Sequence, residues 1–277
     1  MSESSLCGLK RENFAADDTS FRNLRELLAN TQFENPDIGA INNLEEIDVF
    51  VISPPKCGTT ALQRGFERLG RKVLHAHNNP TTYAAFPNGE LLRQCGVDLA
   101  TMIRYRRSLK RGPIHVFCGY RDPVGWYLSV AGHFSLPLDG ALRNQITRHI
   151  SDAYPWNRYG FDETRAVIER GVGFDILGEP FDYVRGYRVV SRDNAKVILY
   201  RYDRIENLAS YIRQEIDSSF SLTRERVNDD KLYLEYLENF WLSRDECDDL
   251  FGGPLFSYFF SKDDRSRLIE KYTKSRG

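Results

Sequence analysis

Three groups of residues in the chain have types and spacings that suit chemistry. Lys56, Gly58, Thr59 and Thr60 stand together in one short segment. A cation, a glycine and two hydroxyls there suit the binding of an anion: the ammonium supplies a full charge, the hydroxyls donate, and the glycine lets backbone approach the ligand closely. Arg121 and Ser129 form the second group, eight positions apart. A guanidinium fork and a hydroxyl suit a phosphate monoester. His75 and His77 form the third, two positions apart. Imidazoles at that spacing share one face of a strand, and either could serve as a general base.

Each group needs an element to hold it. Val49-Phe50-Val51-Ile52 is an apolar β-branched run that reads as a buried strand, and Pro54 and Pro55 stop it because they cannot donate to its ladder. Ala61-Leu62-Gln63-Arg64 are good helix formers, so a helix opens directly after the anion-binding residues. The N–H groups of its first turn, from Gly58 to Ala61, point along a dipole that favours negative charge. Cys57 lies inside this segment, where that dipole could lower its pKa, although a small residue that happens to fit is the preferred account of it. The segment is not a Walker A loop, in which Lys follows the second Gly and directly precedes Ser or Thr. Residues 72–77 read as a second strand, with the histidines at its end. Residues 114–120 read as a third, ended by Arg121-Asp122-Pro123, and a helix follows from Val124 to about Phe134. Arg121 at a strand end and Ser129 two turns into the next helix would face one point outside the sheet edge, where α/β folds bind ligands. Residues 195–202 read as a fourth strand.

Composition sets the frame. The 277 residues are 41% hydrophobic and 28% charged, with a net charge of −1, which suits one folded domain and gives no global argument for nucleic acid or membrane surfaces. Five scattered cysteines show no metal-ligand or redox spacing, so no metal is expected and reduced thiols in a cytoplasmic setting are. Neither a secretory leader nor an apolar run of membrane-spanning length is found. Residues 1–45 read as an N-terminal extension that includes a helix to about Ala29. Residues 91–111 read as helix with a basic run (Arg104, Arg106, Arg107, Lys110, Arg111), either a solvated face or a positive rim. Residues 137–194 read as a helical and irregular insertion. Helices are expected near 205–216, 230–250 and 262–274, the amphipathic stretch 223–249 carrying Leu232, Leu234, Leu237 and Phe240.

Pro55-Lys56-Cys57-Gly58-Thr59-Thr60 resembles the phosphosulfate-binding loop of sulfotransferases that use 3′-phosphoadenosine 5′-phosphosulfate (PAPS). Arg121, the following Pro123 and Ser129 match, in the same chain order, the segment by which that family holds the 3′-phosphate. The resemblance extends more loosely to bacterial capsular-polysaccharide and carbohydrate sulfotransferases. It implies a three-layer α/β sandwich with a central parallel sheet, P-loop NTPase-like, with helical insertions. It further implies PAPS as co-substrate and adenosine 3′,5′-bisphosphate as product, with Lys56, Cys57, Gly58, Thr59, Thr60 and Ala61 around the phosphosulfate. Arg121 and Ser129 would hold the 3′-phosphate, and Tyr202 would lie near the adenine. The family's Tyr-Glu-Asp is only partly matched by Tyr202-Asp203-Arg204, and its late Arg-Lys-Gly segment has no transferable counterpart, since Lys274-Ser275-Arg276-Gly277 is the only similar string.

The implied reaction moves a sulfuryl group to an acceptor hydroxyl of a glycan, a glycolipid or a small metabolite, with the 137–194 insertion on the acceptor side. The catalytic set is Lys56 for the leaving group and His77 or His75 as base. His133 and Glu90 are weaker choices, and His115, inside a strand, is structural. A nucleotide-dependent kinase on a similar fold stays open, as does a non-catalytic nucleotide-binding protein.

Overall fold

The computed structural model describes residues 44–77, 98–133, 161–222 and 231–273. Its centre is a five-stranded mixed sheet in the order β2-β1-β3-β5-β4: β1 (Val49–Ile52), β2 (Val73–Ala76), β3 (Ile114–Tyr120), β4 (Tyr187–Arg192) and β5 (Ala195–Arg201). β2, β1, β3 and β5 are parallel, in the registers Val51↔His75, Val49↔His115 and Val116↔Val197. All four residues of β1 are buried, as a central parallel strand covered on both faces requires.

β4 corrects the expectation of a wholly parallel sheet. It runs antiparallel to β5, joined by a turn at Asp193-Asn194 in which Asp193 takes a left-handed φ of 52°. It lies within the segment read as helical and irregular. Its residues are half-buried or exposed, so its sequence lacks the continuous apolar run that marked the other strands.

Helices cover both faces. α1 (Thr59–Glu67) and α5 (Ile205–Glu215) lie on one, where Leu62, Phe66, Leu208 and Ile212 pack on Val49, Val51, Phe117 and Ile198. On the other face α2 (Leu99–Ser108), α3 (Pro123–His133) and α4 (Phe161–Val172) pack with α6 (Lys231–Asn239), α7 (Arg244–Leu250), α8 (Pro254–Phe259) and α9 (Lys262–Thr273) against Phe50, Ile52, Val116, Val197 and Leu199. The stretch expected as one amphipathic helix is divided: α6 ends at Asn239, and Ser243 opens α7 with a capping box to Glu246. Phe240 is buried at the break. α8, with Pro254 at its start, was not expected.

Of the basic run, Lys110 and Arg111 are exposed just past α2, as a solvated face would be, whereas Arg106 and Arg107 turn inward. Arg106 is buried and donates from Nε to the Ile47 carbonyl at 2.6 Å, and Arg107 donates to the carbonyls of Gly171 and Val172. These side chains satisfy carbonyls at the chain ends that flank β1 and close α4. Among the described residues no helix is long and apolar enough to cross a membrane. The expected helix before residue 30, Glu90, the side chains of His133, Leu232 and Leu234, and Lys274 to Gly277 lie outside the described residues.

β1 has β2 on one side and β3 on the other. The chain leaving β1 enters α1 on one face, whereas the chain leaving β3 enters α3 on the opposite face. The two connections diverge, so a crevice opens between the C-terminal ends of β1 and β3, the position at which open α/β sheets take ligands.

Candidate functional site

The segment after β1 is built for close packing. Lys56 and Gly58 both take left-handed conformations (φ 63° and 76°), with Cys57 on the ordinary side between them. Such alternation gathers successive N–H groups into a concavity that accepts an anion. Gly58 is the N-cap of α1 and brings no capping side chain. A Cβ there would stand 2.5 Å from Ile205 Cδ1 and 3.2 Å from the Tyr202 ring, so glycine is required by φ and by contact. Thr59 is buried and Thr60 half-buried, both in the first turn of α1 with Ala61.

Ser53, which no sequence pattern singles out, ties the strand ends together. Its hydroxyl donates to the Gly119 carbonyl at 3.1 Å and accepts from the Gly119 N–H at 2.9 Å, joining β1 to β3. Its own N–H donates to the Ala76 carbonyl on β2 at 3.3 Å. Its carbonyl accepts from His77 Nδ1 at 2.9 Å. A carbonyl only accepts, so neutral His77 carries its proton on Nδ1 and its lone pair on Nε2.

Burial, together with the nearby Lys56 charge, lowers the pKa of His77 below the ordinary imidazole value, against the upward pull of the Ser53 carbonyl. His75 packs edge-on against His77 with ring centroids 4.8 Å apart. It is more deeply enclosed, and its buried Nε2 has no hydrogen-bond partner among the described residues. Burial and the proximity of His77 bring its pKa down to about 4. Of the two, His77 has a ring oriented by a hydrogen bond, as a base needs, whereas His75 is packed as a neutral ring.

The second junction meets the first. Arg121 follows β3 and donates from Nη1 to the Lys56 carbonyl at 3.1 Å, while its guanidinium lies 4.5 Å from the centre of the Tyr202 ring. Asp122 opens α3 by accepting from the Gly125 N–H at 2.7 Å, and it accepts from the Tyr272 hydroxyl at 2.8 Å, which fixes α9 to the same junction. Trp126, one turn into α3, donates from Nε1 to the Pro55 carbonyl at 2.7 Å. Ser129, half-buried, lies one further turn along the helix from Trp126, on the stripe that neighbours it. Lys56, Gly58, Thr60, Arg121 and Tyr202 are therefore gathered at the crevice, with His77 beside Lys56.

Cys57 is buried, and burial pushes its thiol pKa up to about 12, overriding the nearby Arg121 charge, in keeping with a small residue that happens to fit. Its carbonyl accepts from the Tyr200 hydroxyl at 2.8 Å. Asp203 is likewise taken up, forming a two-point pair with Arg201 at 2.9 and 2.5 Å. His115 is buried within β3, as expected of a structural residue, and burial brings its pKa down to about 4.

None of the family models, curated proteins or solved structures compared with this chain matches it, and what the site can do is taken from its own residues.

Proposed function

We propose that the chain is a PAPS-dependent sulfotransferase with a P-loop-like, three-layer α/β core, acting on a hydroxyl of a glycan, a glycolipid or a small metabolite. One observation carries this reading: the loop of Lys56 and Gly58 and the Arg121 junction, two anion-binding features, meet across the crevice between β1 and β3. The residues present suit PAPS, which has a phosphosulfate at one end and a phosphate monoester at the other. Lys56 and the N–H groups from Gly58 to Ala61 would hold the phosphosulfate, Arg121 and Ser129 the 3′-phosphate, and Tyr202 would border the nucleoside.

PAPS supplies an activated sulfuryl group whose departure leaves negative charge on the 5′-phosphate. The chain's part is positioning and charge stabilisation. Lys56 and the α1 amides neutralise that charge. His77 Nε2 takes the acceptor's proton, its ring fixed by the Ser53 carbonyl, and its lowered pKa keeps it unprotonated at neutral pH.

Calorimetric titration with adenosine 3′,5′-bisphosphate, beside ATP with Mg²⁺, tests the reading. Binding of the bisphosphate without metal is expected. Binding of ATP alone would make the chain a phosphotransferase instead. Bisphosphate binding without turnover of PAPS across an acceptor panel would leave a non-catalytic nucleotide-binding protein.

A further inference from the structure

The anion-binding loop is gripped from behind. Three successive carbonyls are each occupied by a side chain from another element: Pro55 by Trp126 Nε1 at 2.7 Å, Lys56 by Arg121 Nη1 at 3.1 Å and Cys57 by the Tyr200 hydroxyl at 2.8 Å. In a trans peptide the carbonyl of one residue and the N–H of the next point in opposite directions across a rigid plane. Fixing the carbonyls of residues 55–57 therefore fixes the N–H groups of Lys56, Cys57 and Gly58, aimed away from the gripping side chains.

The grip has its own structural requirements. Tyr200 lies in β5, fully buried, and its ring reaches the loop by passing over Gly119 of β3. A Cβ on Gly119 would come within 2.5 Å of Tyr200 Cζ and 2.7 Å of its hydroxyl, so a glycine in the middle of the sheet opens the path. A buried phenol and a half-buried indole each need a hydrogen-bond partner, and the loop carbonyls supply it.

We infer that Tyr200 and Trp126 are positioning residues that preorganise the loop, holding its N–H groups toward the ligand before any anion arrives. This rests on the anion-binding role proposed for the loop. Neither residue touches the ligand; each acts through a carbonyl on the far side of the peptide plane. Arg121 shares in the grip but also belongs to the phosphate-binding set, so it does not separate the two roles.

The test titrates inorganic pyrophosphate and adenosine 3′,5′-bisphosphate into the full chain and into Tyr200→Phe, which removes one hydroxyl and keeps the ring. Trp126→Phe and Gly119→Ala follow, with Tyr183→Phe as a surface control. Titration is done at a temperature where thermal melts show each variant fully folded. Loss of one hydrogen bond should weaken both probes about three- to tenfold in Tyr200→Phe. Trp126→Phe and Gly119→Ala should shift affinity in the same direction, and Tyr183→Phe should leave it unchanged. A Tyr200→Phe protein with a lower melting temperature but unchanged affinities overturns the inference, because a merely structural residue changes stability and not the affinity of the folded state. Wild-type binding of pyrophosphate without the bisphosphate would sink the nucleotide reading alone, and the variants' pyrophosphate affinities would still decide the grip. Wild type that binds neither probe overturns both.

Discussion

Two side chains in the crevice do separable jobs, and substitution should part them. Lys56→Ala removes the charge at the leaving phosphate, so turnover should fall about 10²–10³-fold, the scale of one lost transition-state donor, with the folded fraction unchanged. An active Lys56→Ala enzyme would end that assignment. His77 is bonded through Nδ1 to the Ser53 carbonyl, which leaves the lone pair of its neutral form on Nε2. His77→Ala should leave bisphosphate affinity intact and cost about 10²–10⁴-fold in rate. The pH profile is the sharper measurement. Because the pKa of His77 lies below the ordinary 6.5, activity should be full at neutral pH and decline only as pH falls below that value. An acid limb centred above 6.5 would point to a different base. Arg121→Ala should weaken the bisphosphate by about 10-fold or more, as expected for a lost charged hydrogen bond; unchanged affinity would remove Arg121 from the phosphate site.

At the scale of elements, the site depends on how α5 and the turn before it press against the loop. A Cβ added at Gly58 would stand 2.5 Å from Ile205 Cδ1. Gly58→Ala adds both a clash and a strained φ, worth roughly 1–2 kcal/mol for the backbone alone. Adding Ile205→Ala should relieve the clash and leave the backbone cost, so urea unfolding of the single and double variants should show partial recovery. Full recovery would mean that the left-handed conformation is not needed. The same region shows what sequence could and could not disclose. β1, β3 and β5 were legible because a central strand buried on both faces needs an unbroken apolar run. The places of Lys56 and Gly58 after β1, of Arg121 after β3 and of Ser129 on α3 were legible because strand, turn and helix order them along the chain. β4 was not, because a half-exposed strand such as Tyr187-Arg188-Val189-Val190 leaves only a faint pattern. Nor were Trp126 and Tyr200, whose loop partners lie 71 and 143 positions away, since bonds over such distances leave no local periodicity.

The whole molecule carries buried charge on one side of the sheet and two neutral imidazoles, one buried and one half-buried, on the other, and acid should reveal them in turn. His75 and His115 lie on the α1 face, in strands registered through Val51 and Val49. Each has a folded pKa of about 4 against an ordinary 6.5. Between those values the unfolded chain binds more protons than the folded one, so their contribution is complete above pH 6.5 and is lost as pH falls toward 4. On the α8 and α9 side, Arg201 is almost fully buried, bonded to Asp264 at 2.7 Å and set 4.1 Å from the centre of the Phe260 ring. Despite the opposing effect of burial, hydrogen bonds from Arg201 and Ser261 hold Asp264 at about 2 against an ordinary 3.8. Its contribution is complete above pH 3.8 and is lost as pH falls toward 2. Urea midpoints against pH should therefore fall in two stages. His115→Leu should shrink the upper stage to the share of His75 and leave the lower. Asp264→Asn should remove the lower stage and cost about 3 kcal/mol at neutral pH, because one partner of a buried ion pair is gone. A midpoint that stays level from pH 7 to 4.5 would show that the two imidazoles titrate as they do in the unfolded chain, and that the α1 face of the core is more open to water than its packing implies.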